Sequence, residues 1–279
     1  MNYDVVVIGA GIAGQVTATY LARAGKKVIM LEQNHHAGGN MSGFTRKGYY
    51  FDGGDQSFES LGVVFPILQD LIGVGPDDFH KARYRMVSDD FDFFIDSPEQ
   101  VEDELRAAFP NEPGIKPLFD EIRDVSRFLS KNYHPWDFPL LNRTSAKTAG
   151  PIIPWLFKLK KWSTFRYREK ACEQIQDEGL RTWFSQIGYY RMPYLFLAGF
   201  WHIWSYDYWY PVGGMQALHD KLTEKFREHG GEVRFNTTVE EIELSPSRGT
   251  AVACRTNSGE RIEGKEFVYA GDYKRLLNS

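Results

Sequence analysis

Three glycines near the N-terminus, Gly9, Gly11 and Gly14, have the spacing GxGxxG. They follow an apolar run and precede a segment of helical periodicity, and the acidic residue Glu32 ends the next apolar run. In a βαβ unit the first glycine permits a tight turn, the second lets the backbone approach a pyrophosphate, and the third lets the helix pack closely on the strand. An acidic side chain after the second strand accepts hydrogen bonds from both hydroxyls of a ribose. Together these elements predict a dinucleotide site.

The elements that must position the glycines are a strand, a helix and a second strand. Residues 5–8 form a continuous apolar run, which is typical of a parallel strand buried on both faces. From Ile12 onward the pattern is helical, with Ile12, Val16 and Tyr20 on one apolar face. Residues 28–31 predict the second strand. The acid at its end would repel a 2′-phosphate, which disfavours NADP.

A second glycine pair bears on the kind of dinucleotide. Gly38 and Gly39 are followed by Asn40, and residues 48–54 read GYYFDGG, the second half of a predicted hairpin. Together with Glu32, these residues resemble the extended FAD fingerprint shared by amine oxidases and phytoene desaturases, in which an arginine usually stands at the position of Asn40. Asparagine still hydrogen-bonds a phosphate but supplies no positive charge. A nicotinamide-dependent dehydrogenase is the main alternative, and the second glycine pair argues against it.

Another resemblance lies in the last third of the chain. Residues 210–218 read YPVGGMQAL, which is similar to a signature of the carotenoid desaturase and isomerase branch of this superfamily. In that family the residue at Val239 contacts the adenine through its backbone. A turn of small residues, here Ala270 and Gly271, lies beside the cofactor in the family. The resemblance is clear at both ends of the chain and weak in between.

The resemblance implies an α/β fold in which a Rossmann-like FAD/NAD(P)-binding domain carries an inserted α+β substrate domain. The cofactor domain is expected to be discontinuous, over residues 1–60 and 208–279, and the insertion to span residues 61–207. Within the insertion, Ser97 followed by Pro98 predicts a helix start. The C-terminal part of the family fold, which covers the flavin, is expected to be absent from this chain or supplied by a second one.

Cofactor contacts are expected from the glycine pattern and from the resemblance. The predicted cofactor-binding residues are Gly9, Ala10, Gly11, Ile12, Ala13, Gly14, Glu32, Gln33, Gly38, Gly39, Asn40, Asp55, Gln56, Ser57, Val239, Ala270 and Gly271. Asp55 lies in a turn that the family places beside the flavin ring, and a turn-stabilising role is favoured over one as a base. The sequence shows no Ser–His–Asp order and no metal-ligand cluster, so no catalytic residue is assigned. That agrees with chemistry performed by a flavin.

Aromatic residues are concentrated in residues 189–210, of which eleven of 22 are Phe, Trp or Tyr. Core packing accounts for many of them, but the run ends at the motif that the family places near the flavin. The predicted substrate contacts are therefore Tyr206, Tyr208, Trp209 and Tyr210. Aromatic faces suit a polyene through stacking and an amine cation through cation–π contact.

Residues 150–168 combine aromatic and aliphatic side chains with lysines and arginines. Such a pattern is typical of a monotopic membrane contact, and an ordinary helix with a solvated basic face is the favoured alternative. The expected partners are thus an apolar or amine small molecule, a second protein chain and, as the less favoured alternative, a membrane surface.

Composition narrows the class further. The chain has 279 residues and a formal net charge of −4, so no basic footprint indicates nucleic acid. Two cysteines without metal or redox spacing make a cytoplasmic location the default expectation. Neither a signal peptide nor an uninterrupted apolar run of about 18 residues is evident.

The leading functional hypothesis is an FAD-dependent oxidoreductase, resembling phytoene desaturase, that dehydrogenates or isomerises an apolar unsaturated substrate. An amine or amino-acid oxidase on the same fold is the first alternative. A cofactor-binding subunit of a split two-chain flavoenzyme is the second, since members of the family run well beyond this chain's length.

Overall fold

The computed structural model describes residues 3–132, 134–136, 154–164, 166–188, 191–245, 249–272 and 274. The chain forms two compact units, and each unit draws on more than one stretch of sequence. The first unit comprises Met1–Phe58, Ile67–His80 and Tyr210–Ser279, and the second comprises Glu59–Pro66 and Lys81–Trp209.

The secondary structure alternates short strands with helices. The strands are β1 (Tyr3–Ile8), β2 (Val28–Leu31), β3 (Gly43–Arg46), β4 (Tyr49–Asp52), β5 (Phe79–Lys81), β6 (Arg85–Val87), β7 (Asp92–Phe94), β8 (Trp209–Pro211), β9 (Glu232–Arg234), β10 (Val239–Leu244), β11 (Ala251–Thr256) and β12 (Arg261–Tyr269). The helices are α1 (Ile12–Arg23), α2 (Val64–Ile72), α3 (Pro98–Ala108), α4 (Ile115–Asn132), α5 (Leu156–Thr164), α6 (Tyr167–Gln174), α7 (Glu178–Gln186), α8 (Tyr194–Tyr206) and α9 (Met215–Glu228).

The first unit is built on a six-stranded sheet of order β10-β11-β12-β1-β2-β9. The strands from β12 to β9 are parallel, and β10, β11 and β12 form an antiparallel meander. Val7 and Met30 face one buried side and Val6 and Ile29 the other, since successive strand residues point to opposite faces. All four side chains are fully buried, as the continuous apolar runs predicted.

Helix α1 forms where the sequence predicted it, but it buries a different face. The fully buried positions are Gly14, Gln15, Ala18, Thr19 and Ala22, and the predicted apolar face is only half-buried. Small residues occupy the buried face because they let the helix lie close to the sheet. Gln15 is the one long residue on this face, and its side-chain amide is hydrogen-bonded within the unit.

The first unit also holds a segment that the sequence analysis assigned to the insertion. Residues 67–80 belong to the first unit, and Asp70 within them is hydrogen-bonded to α1. The hydroxyl of Tyr20 donates to Asp70 Oδ2 at 2.9 Å, and Arg23 Nη2 lies 2.8 Å from the same oxygen. Helix α2 spans Val64–Ile72, so its first residues belong to the second unit and the rest to the first, and no sequence pattern indicates this boundary.

The second unit is mainly helical around α4 and α8, with a small β6–β7 hairpin. Along α4, Phe119 and Ile122 are fully buried, and they share a core with Trp201 of α8. Helix α3 begins as predicted, with Ser97 accepting a hydrogen bond from the Gln100 N–H at 3.0 Å. Among the described residues, no helix is long and apolar enough to cross a bilayer.

Candidate cofactor site

A cavity of 960 Å³ opens in the first unit where the parallel strands end at their carboxyl termini. This volume lies within the range of small-molecule and cofactor pockets, about 300–1,000 Å³. Open α/β sheets bind ligands at this edge. The cavity is lined by Ile8, Gly9, Gly11, Ile12, Ala13, Leu31, Glu32, Gln33, Asn34, Gly38, Gly39, Asn40, Met41, Asp55, Thr237, Thr238, Val239, Glu240, Glu241, Ile242, Tyr269, Ala270, Gly271 and Asp272.

The three glycines of the first motif occupy three different environments. Gly9 has φ +104°, and a Cβ there would lie 3.1 Å from the backbone of Ala270. A Cβ on Gly14 would lie 2.0 Å from the Gly9 carbonyl oxygen, so only glycine permits this helix-to-turn approach. A Cβ on Gly11 would meet nothing within 4 Å. The position predicted to face a pyrophosphate is therefore open.

The donors around this opening are backbone N–H groups. Gly11 is the N-cap of α1, so the first N–H groups of the helix lack partners within the helix and are directed toward its N-terminal end. In the second glycine pair, the N–H of Gly38 donates to Ala10 O at 2.9 Å. The N–H groups of Gly39 and Asn40 have no hydrogen-bond partner among the described residues. Consecutive free N–H groups of this kind form an anion-binding concavity.

Glu32 is 6% exposed at the end of β2 and already has three donors. Its Oε2 accepts from the Ala10 N–H at 2.7 Å, and its Oε1 accepts from the N–H and the side-chain amide of Asn34 at 2.9 and 3.0 Å. A carboxylate offers about four acceptor positions. One remains for a ribose hydroxyl, where the sequence analysis expected two. Release of the Asn34 side chain would free the second.

The charge of the cavity wall is entirely of one sign within the described part of the chain. Its charged residues are Glu32, Asp55, Glu240, Glu241 and Asp272, and none of the lining residues is basic. The positive groups that this wall offers to an anion are therefore backbone N–H groups and the positive end of the α1 dipole.

Asn40 occupies the position where the resembling family usually has arginine. Its backbone is fixed, because its carbonyl accepts from the Asp55 N–H at 3.0 Å and a Cβ on Gly54 would lie 2.2 Å from it. Its side-chain amide is exposed and has no partner among the described residues. A longer, charged side chain can therefore be placed here without disturbing the turn.

Most of the predicted cofactor residues lie around the cavity. Thirteen of the seventeen line it, and the exceptions are Ala10, Gly14, Gln56 and Ser57. Ala10 is fully buried and acts through its N–H on Glu32. Gln56 and Ser57 lie away from the wall because the chain turns inward after Asp55, and Phe58 is buried against Phe79 with ring centroids 5.8 Å apart.

The side chain of Asp55 does not have the turn-stabilising role that the sequence predicts. The predicted side-chain stabilisation of the turn is absent, since its carboxylate has no hydrogen-bond partner among the described residues. Only its backbone N–H holds the turn. The carboxylate is instead exposed at the cavity wall.

Sequence reasoning missed much of the second wall of the cavity. Thr237, Thr238, Glu240 and Ile242 line it beside Val239, at the start of β10. In the sequence, this wall was indicated only by the family resemblance at Val239. Tyr269 was also missed, and the structure places it opposite Ile8 in the parallel pair of β1 and β12.

The four predicted substrate residues do not line this cavity. Tyr206, Tyr208 and Trp209 belong to the second unit and Tyr210 to the first. The Trp209 Nε1–H donates to the buried carboxylate of Asp207 at 2.6 Å. The Tyr210 hydroxyl donates to Asp52 Oδ2 at 3.0 Å, and burial together with this carboxylate raises the pKa of Tyr210 to about 12. Their contact with a substrate stays a prediction.

The fold and the cavity agree with what comparison with known proteins shows. The model of the flavin containing amine oxidoreductase family matches residues 12–277, and the chain belongs to that family. The cofactor of the family is FAD, and the glycine cradle, the free N–H groups and the acid at the end of β2 fit its ADP half.

Two curated relatives and one solved structure illustrate the family. The neurosporene-forming phytoene desaturase of Rhodobacter capsulatus is 27% identical, over 98% of this chain and 54% of its own length. The chloroplastic prolycopene isomerase of Daucus carota is 25% identical, over 96% and 46%. A redesigned double mutant of putrescine oxidase has the same fold, with TM-score 0.60 and 17% identity over 99% and 60%. The chain spans about half the length of the curated relatives that it matches.

The contrast between two glycines gives the first test. We expect Gly14→Ala to lower the free energy of unfolding by about 1–3 kcal/mol, because its Cβ collides with the Gly9 carbonyl. Gly11→Ala meets no protein atom and is expected to cost less than about 1 kcal/mol, while its Cβ enters the space for the diphosphate. Denaturant unfolding and ADP titration calorimetry separate the two effects. Equal stability of both variants would contradict the assignment.

Asn40 gives the second test. We expect Asn40→Arg to strengthen ADP binding about fivefold, since it adds a charge-assisted hydrogen bond at a partly exposed site. The matched control is Asn40→Gln, which lengthens the side chain without adding charge and is expected to leave the affinity within about twofold of the parent. Calorimetry at low and moderate salt provides the measurement. An unchanged affinity in Asn40→Arg would show that the diphosphate does not reach this residue.

Proposed function

We propose that this chain forms the cofactor-binding and substrate-binding part of an FAD-dependent oxidoreductase that dehydrogenates or isomerises an apolar unsaturated substrate, of polyene or lipid-like type. The observation that carries the proposal is the match of almost the whole chain to carotenoid desaturase and isomerase relatives, combined with a glycine-lined cavity in the first unit.

The two units divide the task in this proposal. The discontinuous first unit binds the cofactor, and the second unit binds the substrate. The glycine-lined opening supports the first assignment. For the second, the support is the density of aromatic side chains in the second unit, including the ring pair of Tyr84 and Tyr208 with centroids 5.2 Å apart.

FAD, when bound, supplies the hydride acceptor for the reaction. The chain's own residues bind and orient it in this scheme. The N-terminus of α1 and the Asn40 N–H, which follows the second glycine pair, hold the diphosphate, and Glu32 accepts from the ribose. The backbone at Thr238 and Val239 flanks the adenine. No proton transfer is assigned to a side chain, although Asp55 is the acid placed by the family beside the flavin ring.

An oxidase acting on amines or amino acids is the second candidate. The family takes its name from such enzymes, and the putrescine oxidase structure shares the fold. The two candidates differ in the ligand that they require. A polyene needs a long apolar groove lined by aromatic faces, and an amine needs an aromatic surface that stabilises a cation.

A second polypeptide segment is the partner that we propose for the first unit. Strands β3 and β4 leave one face bare: Phe44, Tyr49 and Phe51 are 48%, 72% and 47% exposed, and the two phenylalanine rings are stacked. The opposite face is anchored by Tyr50, whose hydroxyl accepts from the Gln216 N–H at 3.0 Å. The relatives have about as much chain again as is aligned here. The corresponding segment, in the same or another polypeptide, is the occupant that suits this aromatic face.

A membrane surface is the proposed partner of the second unit. On α5, Phe157 is 86% exposed and Leu156 is 56% exposed. The basic residues are less available than the sequence suggests, because Lys158 and Lys161 pair with acids of α4 at 2.6 and 3.3 Å. Apolar insertion rather than charge is therefore expected to carry the contact.

Vesicle sedimentation tests this contact. We expect the protein to sediment with phosphatidylcholine vesicles and to do so almost equally in low and high salt. Phe157→Ser should reduce the bound fraction about fivefold, since it removes the most exposed apolar side chain of α5. The control Val87→Ser changes an apolar residue of similar type, 62% exposed on β6. Equal losses in both variants would remove α5 from the contact.

Ligand binding tests the proposed substrate class. Tryptophan emission should be quenched by a detergent-solubilised C40 polyene through energy transfer, and a saturated hydrocarbon of equal length should serve as the spectroscopic control. We expect saturable quenching by the polyene and a rise in the melting temperature. Putrescine should change neither. A melting-temperature rise with putrescine and none with the polyene would favour the amine oxidase alternative and overturn the proposal.

A further inference from the structure

A buried polar cluster lies directly behind the second glycine pair. His219 of α9 is fully buried, and its Nδ1 lies 2.5 Å from Gln15 Oε1 of α1. The Gln15 amide group donates to His219 O at 2.9 Å and to Thr223 Oγ1 at 2.8 Å. Both amide hydrogens are thus used, so Oε1 must accept and Nδ1 must carry the imidazole proton.

The second ring nitrogen of His219 therefore holds an unshared electron pair. Burial lowers the pKa of His219 to about 4, so the ring is neutral at neutral pH. The Nε2 atom is buried and has no hydrogen-bond partner among the described residues. A buried acceptor without a donor is costly and rare in folded proteins.

The same edge of the ring faces the glycine loop. A Cβ on Gly38 would lie 3.1 Å from His219 Cδ2, the atom bonded to Nε2. Gln216, one turn earlier on α9, fixes both ends of this loop: its Nε2 donates to Ala37 O at 3.1 Å and its Oε1 accepts from the Gly43 N–H at 3.2 Å. Helix α9 is thus the wall against which the loop rests.

Without a ligand, this region contains hydrogen-bond donors and an acceptor that are not paired with each other. Two loop donors, the N–H groups of Gly39 and Asn40, and one buried acceptor, His219 Nε2, lack partners among the described residues. A phosphate oxygen in the cavity adds one more acceptor. The pairing that satisfies all four groups gives one N–H to the phosphate and the other to the histidine.

We propose that His219 is a positioning residue for the diphosphate: when the ligand binds, its Nε2 accepts the Gly39 N–H, which holds the loop so that the Asn40 N–H meets the phosphate. This inference rests on the proposed placing of the ADP half of FAD in the cavity. It adds a ligand-dependent hydrogen bond that neither glycine motif would indicate.

The test compares ADP with AMP, which lacks the second phosphate. In wild-type protein, long-range ¹H–¹⁵N spectra should show the Nε2 resonance of His219 moving upfield on addition of ADP, as expected for a nitrogen that accepts a hydrogen bond, and remaining in place with AMP. A merely structural histidine would respond to neither ligand.

Two variants separate the ring nitrogens. An asparagine amide reaches about as far as Nδ1, so His219→Asn should keep the bond to Gln15 and lose the acceptor at Nε2. We expect its ADP affinity to fall about five- to tenfold and its AMP affinity to stay unchanged. His219→Gln places an oxygen near the Nε2 position and should bind ADP within about twofold of wild type. The control His202→Asn alters another buried histidine, bonded through Nδ1 to Ser126 in the second unit, and should leave ADP binding intact.

The outcomes separate this proposal from the cofactor assignment. If wild-type protein binds neither nucleotide, the placing of ADP in the cavity fails and this inference fails with it. If ADP binds to wild type and to His219→Asn equally, or if the variant loses ADP and AMP alike, only the role of His219 is overturned. Should His219→Asn fail to fold, the nitrogen shift in wild type decides alone.

Discussion

The cofactor unit depends on backbone lying against backbone at the carboxyl end of β1. Gly9 there contacts the chain leaving β12 at Ala270, and the Gly9 carbonyl lies where a Cβ of Gly14 would otherwise be. One residue further on, Ala10 accepts the Gly38 N–H and donates to Glu32. Several separate segments thus meet within two residues of one strand end, and the contacts at Gly9 and at Gly38 are made by backbone atoms. Because that contact leaves no room for a methyl group, Gly9 and Gly14 cannot carry a larger residue without a shift of the backbone beside the opening.

The same strand end determines where charge is buried. Glu32 is removed from solvent, and a buried carboxylate is tolerated only when it accepts several hydrogen bonds. Two of its donors are backbone N–H groups whose positions follow from β1 and β2, so the carboxylate is oriented before any ribose arrives. The Asn34 side chain occupies a third acceptor position, and the fourth stays open for a first ribose hydroxyl. Only the second hydroxyl requires the Asn34 side chain to leave, at the cost of one hydrogen bond.

The sequence predicts best what depends on neighbours in sequence. The βαβ unit, the helix start at Ser97 and the β3–β4 hairpin were confirmed, because buried runs, caps and turn residues act locally. The sequence does not predict features that depend on contacts between segments far apart in the chain. The buried face of α1 carries Gln15, which periodicity would place outside, because its amide has partners on α9 two hundred residues away. The wall at Thr237 and the contact of His219 with Gly38 follow from how α9, β9 and β10 return to the sheet, and no local pattern encodes that return.

Among the described residues, the acid-lined cavity has no basic side chain, so anion binding depends on the positions of backbone N–H groups. A lysine or arginine attracts a phosphate over several ångströms and adapts its side chain to the ligand, whereas a backbone N–H contributes only at hydrogen-bond distance and in line. With Asn40 in place of a cation, the orientation of the loop N–H groups becomes the quantity that decides affinity. The rigidity of that loop follows from Gln216, from the buried ring of His219 and from the carbonyl of Asn40 held by Asp55. Because Asn40 carries no charge, the residues that pack behind the loop and orient its N–H groups become part of the binding site.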